Sequence, residues 1–83
     1  MSEFKIQDLV KLNKFPYVNE IFMIVGDEEN AWVKASPFFP KGEKIYIEDG
    51  KDFILIKKKN DVFGIFGIPE NGIHVSNEEI ESI

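Results

Sequence analysis

The stretch that decides the fold is Ile21-Phe22-Met23-Ile24-Val25, the longest apolar run of the 83-residue chain. A short apolar run between polar flanks is typical of a buried strand, and this one is far too short to cross a bilayer. The other apolar residues are chiefly isoleucine, valine and phenylalanine, which pack well on a pleated sheet and lose rotamer freedom in helices. We therefore expect a central strand at this run and strands through nearly the whole chain.

The residues after this run predict a hairpin followed by a loop. A polar turn leads to a return strand at residues 31–35, on which Val33 is expected to face the core while Trp32 and Lys34 face outward. Residues 36–42 contain two prolines and a glycine. Because these residue types interrupt regular structure, we expect a loop there.

Short strands and tight turns are predicted for the second half of the chain. Residues 44–48 and 53–57 flank Asp49-Gly50, a dipeptide that suits a two-residue hairpin turn. Further strands are expected at residues 62–66, after another turn, and at residues 73–75. Strands this frequent, with short connections, predict a meander that curls to cover its core.

The two ends of the chain are expected to meet. Residues 4–12 alternate between apolar and polar side chains with a period of two, interrupted at Asp8 and Leu9, so they predict the first strand with a bend near these two residues. Ser76 and Glu79 have the spacing of a capping box, which predicts one short helical turn. Ile80 and Ile83 are then expected to be buried beside the first strand, closing the sheet so that its edges are not left open.

Three stretches together resemble a small Src-homology-3-like barrel of the KOW kind: residues 4–12, the hairpin at 22–33 and the closing segment 75–83. In such barrels the last segment is a short turn followed by a strand that pairs with the first. The resemblance implies a protein-binding or nucleic-acid-binding module, since the fold does not decide between them. The sequence as a whole predicts one all-β domain, residues 1–83. Its form is a single small antiparallel barrel or a strongly curled sheet, with at most one short helical turn near the C-terminus.

The composition excludes several kinds of chemistry. The chain has no cysteine and a single histidine, His74, so it offers no disulfide, thiolate ligand, histidine pair or catalytic triad. All ten basic residues are lysines, against fifteen acidic residues, and the lack of arginine disfavours sequence-specific DNA binding. We expect a non-enzymatic cytoplasmic domain with no cofactor, metal site or membrane segment. Richness in lysine without arginine also indicates an AT-rich genome, such as that of a phage.

The charged clusters and the histidine are interpreted as surface features. The acidic run Asp27-Glu28-Glu29 fits no calcium-binding spacing and predicts a solvated turn. The basic run Lys57-Lys58-Lys59 predicts a protected strand edge, with weak contact to phosphates as the alternative. His74 is expected to face outward on an edge-like strand.

The candidate partner-binding residues are all aromatic: Trp32, Phe38, Phe39 and Tyr46. Strand alternation sends Trp32 and Tyr46 outward, and Phe38 and Phe39 sit side by side between two prolines. Exposed aromatic side chains of this kind anchor protein partners. The alternative is that the Phe38-Phe39 loop folds over Trp32 and closes the barrel, and the sequence does not decide between the two.

The function predicted from these features is protein binding. The domain is expected to be an adaptor or inhibitor of phage or mobile-element origin that acts on a host protein. The alternatives are a nucleic-acid-associated KOW-like module and a structural subunit that self-associates through an edge strand, for which a homodimer is the simplest form. Because the chain is acidic and lacks arginine, duplex DNA and RNA are not expected partners at physiological salt.

Overall fold

The strands form two antiparallel sheets in the computed structural model of the chain, which describes residues 4–36 and 39–83. In chain order its elements are β1 (Leu9–Leu12), β2 (Ile21–Asp27), β3 (Trp32–Ser36), β4 (Phe39–Ile45), β5 (Phe53–Lys59), β6 (Val62–Gly64), β7 (Ile73–Val75), a 3-10 turn (Asn77–Glu79) and β8 (Ile80–Ser82). The prediction of an all-β fold with one short helical turn near the C-terminus is confirmed.

The larger sheet is organised around β2 and β5. Its strand order is β6-β5-β2-β1-β8, and β7 also pairs with β5. One edge of β5 therefore pairs with β2, and the other pairs with β7 at residues 53–55 and with β6 at residues 57–59. The end strands β6 and β8 do not pair with each other in the described part of the chain. The sheet is thus strongly curled and does not close into a barrel.

The central strand predicted at residues 21–25 lies in the middle of this sheet as β2. Phe22 and Ile24 are fully buried on one face of β2, and the Tyr17 ring packs edge-on against Phe22 with 5.8 Å between ring centroids. The two residues belong to a core cluster that also contains Val10, Leu12, Phe53, Leu55, Ile73, Val75 and Ile80. This cluster is the core that the larger sheet packs around.

β5 is buried on both of its faces. Phe53 and Leu55 belong to the core cluster, and Ile54 and Ile56 are buried on the opposite face. The ribbon formed by β3 and β4 lies beside this second face, since Trp32 and Ile56 line the same groove. The run of four apolar residues at the start of β5 therefore packs against both sheets.

The hairpin predicted between residues 21–25 and 31–35 is not formed. Its turn is present, because Asp27 and Asn30 exchange backbone hydrogen bonds of 3.0 and 3.3 Å. However, β2 pairs with β1 along one edge and with β5 along the other, so no edge remains for β3. β3 pairs with β4 instead and belongs to a separate two-stranded ribbon.

The pairing predicted across Asp49-Gly50 is also wrong. The turn itself is present: the Lys51 N–H donates to the Glu48 carbonyl at 3.1 Å, and Gly50 has a φ of +79°. The strands on its two sides belong to different sheets, because β4 pairs with β3 while β5 pairs with β2. Residues 44–48 and 53–57 therefore do not form a hairpin.

The loop predicted at residues 36–42 is wrong for most of its length, because β4 begins at Phe39. In the described chain β4 pairs only with β3, and a proline such as Pro40 is tolerated in an edge strand that needs no donor on its open side. The register shifts between Lys34 and Ser36. The extra residues of β4 at this shift include Gly42, whose φ is +75°.

The two ends of the chain meet, but only one of the two closing isoleucines is buried. β8 pairs with β1, placing Ile80 opposite Leu12 in the ladder, and the side chain of Ile80 is 5% exposed. The burial predicted for Ile83 is wrong, since that residue is 63% exposed. Side chains alternate between the two faces of a strand, so a residue three positions after Ile80 cannot share its face.

Glu79 holds this closure through charged hydrogen bonds. Its carboxylate accepts hydrogen bonds from the Lys14 ammonium at 2.6 Å and the Ser76 N–H at 2.9 Å, and the Lys51 ammonium lies at 3.5 Å. The predicted capping box is therefore present. The hydrogen bond from Lys14, followed by that from Ser76, outweighs partial burial and lowers the pKa of Glu79 from 4.5 to about 2. Lys14 follows β1 and Glu79 precedes β8, so this contact ties the terminal strands together.

The substitution Ile80→Ala is expected to lower the free energy of unfolding by about 2–4 kcal/mol, because it leaves a cavity in the core. Ile83→Ala is the matched control, and its effect should stay below about 0.5 kcal/mol because the side chain is exposed. Urea unfolding of both variants measures the two values. Similar losses in both variants would contradict the register of β8 against β1.

The substitution Glu79→Gln is expected to cost about 1–2 kcal/mol at neutral pH, because it removes hydrogen bonds to a charged acceptor at a partly exposed site. The pKa of Glu79 is lower in the folded protein than in the unfolded chain, so its contribution is complete above pH 4.5 and is lost as the pH falls toward 2. The stability gap between the natural protein and the variant should therefore narrow on acidification. Urea unfolding at several pH values measures the gap, and the exposed Glu78→Gln serves as control. A gap that stays constant with pH would contradict the role of Glu79.

Candidate partner-binding site

A groove of about 700 Å³ separates β3 from the hairpin of β5 and β6, a volume within the range of small-ligand sites. In the described chain it is lined by residues 32–35 of β3, Ile56 of β5 and residues 62–66, which begin with β6. Most of these side chains are apolar, and none is acidic, in a protein whose net charge is −5.

The walls of the groove are strand edges. Successive side chains of a strand point to opposite faces, yet four successive residues of β3 and five successive residues from Val62 onward line the groove. Such walls include the backbone. β3 pairs with β4 along its other edge, β6 pairs with β5, and within residues 4–36 and 39–83 no strand lies between them.

The orientation of β3 is opposite to the one predicted from the sequence. Val33 is 55% exposed, whereas Lys34 is only 3% exposed. In the β3–β4 ladder Trp32 lies opposite the buried Ile45, and Val33 lies opposite the exposed Lys44. Paired residues share a face, so the face that carries Trp32 and Ile45 is the one that packs against the rest of the protein. The prediction that Val33 faces the core and Lys34 the solvent is therefore wrong.

Lys34 brings a positive charge into the interior beside the groove. Its ammonium lies 3.2 Å from the Glu70 carbonyl oxygen and 3.4 Å from Asn71 Oδ1. The carboxylates of Glu70 and Glu43 lie at 3.5 and 3.9 Å. A buried ammonium needs several such partners to offset its desolvation. These contacts fasten β3 to the turn before β7 and balance the charge of Lys34 within the chain.

The structure separates Trp32 from Tyr46. Trp32 is half-buried and lines the groove. Tyr46 is 69% exposed, as its strand position predicts, and does not belong to the groove lining of the described chain. It directly follows the buried Ile45, so its ring projects to the solvent side of the ribbon. The two residues cannot form one continuous aromatic patch through the ribbon.

The side chains of Phe38 and Phe39, the other two candidate residues, are not among the described parts of the chain. Phe38 lies outside the described residues. The backbone of Phe39 opens β4 opposite Ser36, but its side chain is outside the description. Whether these two residues anchor a partner or cover Trp32 therefore stays a prediction with both alternatives open.

The sequence prediction missed the β6 wall of the groove. Residues 62–66 are expected there only as a return strand, and the hairpin of β5 with β6 is confirmed, with Lys58 opposite Phe63. Phe63, Ile65 and Phe66 line the groove. The sequence contains a signal for this role, because the two residues on each side of Gly64 are all apolar. A strand with one solvent-facing side needs apolar residues at alternate positions only.

The lysine run at the end of β5 carries positive charge close to the groove wall at Phe66. Lys57 forms an ion pair with Glu20. Lys58 and Lys59 form no ion pair with a carboxylate of the described residues. The Lys59 ammonium lies 5.8 Å from the centre of the Phe66 ring, one of the groove walls.

A second pocket, of about 300 Å³, contains most of the predicted acidic turn and is lined by Phe4, Asp27, Glu28, Glu29, Asp52 and Phe53. Two of its carboxylates hold local backbone structure: Asp27 accepts from the N–H groups of Glu29 and Asn30 at 2.9 Å, and Asp52 accepts from that of Asn77 at 2.7 Å. Among residues 4–36 and 39–83 no group of three or more acidic or histidine side chains is arranged to hold a metal ion.

His74 joins two loops. Its Nδ1 accepts a hydrogen bond from the Glu48 N–H at 3.1 Å, and its Nε2 lies 3.1 Å from the Asn71 carbonyl oxygen. Because a backbone N–H can only donate, Nδ1 is the acceptor and the proton sits on Nε2, which donates to the carbonyl. The residue is half-buried. The prediction of an outward-facing surface histidine did not include these two hydrogen bonds between loops.

Comparison with known proteins adds no relative, since no protein-family model, no curated protein and no solved structure matches the chain. The resemblance to Src-homology-3-like barrels therefore stays a prediction. Within the described ranges no helix is long and apolar enough to cross a membrane.

The substitution Gly72→Ala is expected to disturb the packing around Ile54 and Trp32 more than Gly50→Ala does. Both glycines have a positive φ, +81° and +79°, where an added side chain costs about 1–2 kcal/mol. A Cβ at Gly72 would also lie 2.8 Å from Ile54 Cγ2 and 3.0 Å from the Leu55 carbonyl oxygen, whereas nothing lies within 4 Å of one at Gly50. Gly72→Ala should therefore lose about 1–3 kcal/mol more.

Urea unfolding of the two glycine variants measures this difference. Trp32 Cζ3 would lie 3.6 Å from the added Cβ of Gly72, so the tryptophan emission spectrum should change in Gly72→Ala and stay unchanged in Gly50→Ala. Equal losses of stability in the two variants would show that Gly72 is not a close-packed position.

Proposed function

We propose that this domain is a non-enzymatic protein-binding module and that the groove between β3 and β6 is its docking surface. The observation that carries the proposal is an apolar groove walled by Trp32, Phe63 and Phe66 and bounded by two strand edges. Apolar surface of this kind, surrounded by polar residues, marks interaction sites. Aromatic side chains contribute most of the energy in such interfaces.

The lining of the groove supports binding over catalysis. Catalysis needs a nucleophile or a general acid or base whose side chain converges on a reacting atom. In the described lining Lys34 is the only ionisable residue, and oxygen atoms of Glu70, Asn71 and Glu43 surround its ammonium. The remaining lining residues are apolar or glycine.

The cellular setting of the proposal comes from the composition. A cysteine-free chain suits a reducing compartment, so we place the module in the cytoplasm. Richness in lysine without arginine supports a phage or mobile-element adaptor or inhibitor that acts on a host protein. Phe38 and Phe39 are candidates for contacts beyond the groove, whereas Tyr46 lies outside the groove lining of the described chain and is not assigned a contact.

The test is capture of a partner from bacterial lysate by the immobilised domain, followed by identification of the captured protein by mass spectrometry. Val33 and Val62 line the groove and are more than half exposed, so the double substitution Val33→Glu with Val62→Glu adds charge to the groove without opening the core. Its binding to the purified partner should fall at least about tenfold, since burying unpaired carboxylates is costly.

Tyr46→Ala is the control, because Tyr46 is also more than half exposed but lies outside the groove lining of the described chain. It should leave binding to the same purified partner within about twofold. Thermal melting of both variants checks that each is folded. Loss of binding in Tyr46→Ala, together with full binding in the double variant, would place the interface at Tyr46 and away from the groove, and would contradict the proposal. Capture of nucleic acid, with no protein partner, would contradict it as well.

A further inference from the structure

We propose that the groove takes an extended segment of a partner protein, which adds as a strand to the open edge of β3 and carries apolar residues next to an acidic flank. This inference rests on the proposed function and specifies the chemistry of the partner. Three features of the groove carry it: the strand edge, the apolar walls and the charge close to one wall.

The open edge of β3 differs from the other open edges in the described chain. β6, β7 and β8 are three residues each, and β4 contains Pro40 and the shifted residues near Gly42. Short strands, proline and irregularities are devices that prevent an edge from pairing with another chain. β3 has five residues, contains neither proline nor glycine, and pairs with β4 on one side only. It is therefore an available template for strand addition.

The walls of the groove suit the side chains of such a strand. A strand added to β3 directs every second side chain toward the same side. On that side it meets Trp32 from β3, together with Phe63 and Phe66 from the opposite wall. Apolar residues at alternate positions of the partner would fill the space between these rings, while the backbone hydrogen bonds supply affinity that does not depend on sequence.

The positive charge of Lys58 and Lys59 favours an acidic flank on the partner segment. Neither Lys58 nor Lys59 has a carboxylate partner among the described residues, and the groove lining contains no acidic residue. Acidic residues near these ammonium groups would be attracted, whereas basic ones would be repelled. A second copy of this chain fits less well, because its own β3 carries a lysine and no carboxylate.

The binding test uses a blocked peptide in which three isoleucines alternate with threonines between two glutamates at each end. Trp32 is the single tryptophan of the chain and lines the groove, so its emission reports occupancy. The glutamate-flanked peptide should shift the emission to shorter wavelength in a saturable way. A peptide with lysines in place of the glutamates should bind at least about tenfold more weakly. In the double variant Lys58→Glu with Lys59→Glu this preference should reverse, and an unchanged preference would overturn the charge assignment.

Backbone methylation tests the strand addition itself. In a strand paired along one edge, alternate N–H groups face the pairing strand and the others face away. Two further peptides carry N-methyl groups on one or the other alternate set of amides. One set should abolish binding, and the other should leave it within about threefold. Equal effects of both sets would overturn addition to a single edge, even if the groove binds the peptide.

The remaining outcomes separate this inference from the proposed function. If no peptide binds but the purified partner still binds and still depends on Val33 and Val62, the strand inference fails and the proposed function stands. If the partner also fails to depend on the groove, both fail. Sedimentation at several protein concentrations should show a monomer. A dimer that the double variant at Val33 and Val62 abolishes would overturn the inference in favour of a second copy as the occupant.

Discussion

The burial of β5 on both faces is the constraint on which the rest of the structure depends. Phe53 and Leu55 complete the core under the larger sheet, and Ile54 and Ile56 are buried on the other side. Each such side chain contributes about 1.5–3 kcal/mol when removed from water. Both edges of β5 are paired at residues 53–55 as well, so the first part of β5 has neither an exposed face nor an open edge.

The groove follows from how that second face is covered. The β3–β4 ribbon supplies the cover, with Trp32 and the buried Lys34 on its inner side, but it has no ladder with β2, β5 or β6 in the described chain. A cover that forms no strand ladder with the larger sheet leaves its own strand edge unpaired beside the β5–β6 hairpin in the described chain. The groove is thus the margin of the second packing layer, and its position depends on Ile54 and Ile56.

The sequence predicted local structure well and pairing poorly. The central strand, the β5–β6 hairpin, the capping box at Glu79 and the burial of Ile80 follow from patterns of a few residues. The partners of β2 and β5 do not, because a turn such as Asp49-Gly50 reverses the chain without deciding which edges are free. Strand alternation likewise separates two faces but does not tell which one meets the core. The orientation predicted for Val33 and Lys34 is therefore the reverse of the observed one. The unbroken apolar start of β5 was the available signal for a second layer.

Native-state hydrogen exchange tests the central position of β5 most directly, because it gives an opening free energy for each backbone amide. Amides of β2 and β5 are expected to exchange only through global unfolding, with the same free energy and denaturant dependence as the whole domain. Amides in the β3–β4 ladder should exchange through a smaller opening at lower free energy, since the ribbon can detach while the larger sheet stays folded. Protection of β3 and β4 that exceeds the protection of β5 would contradict the account.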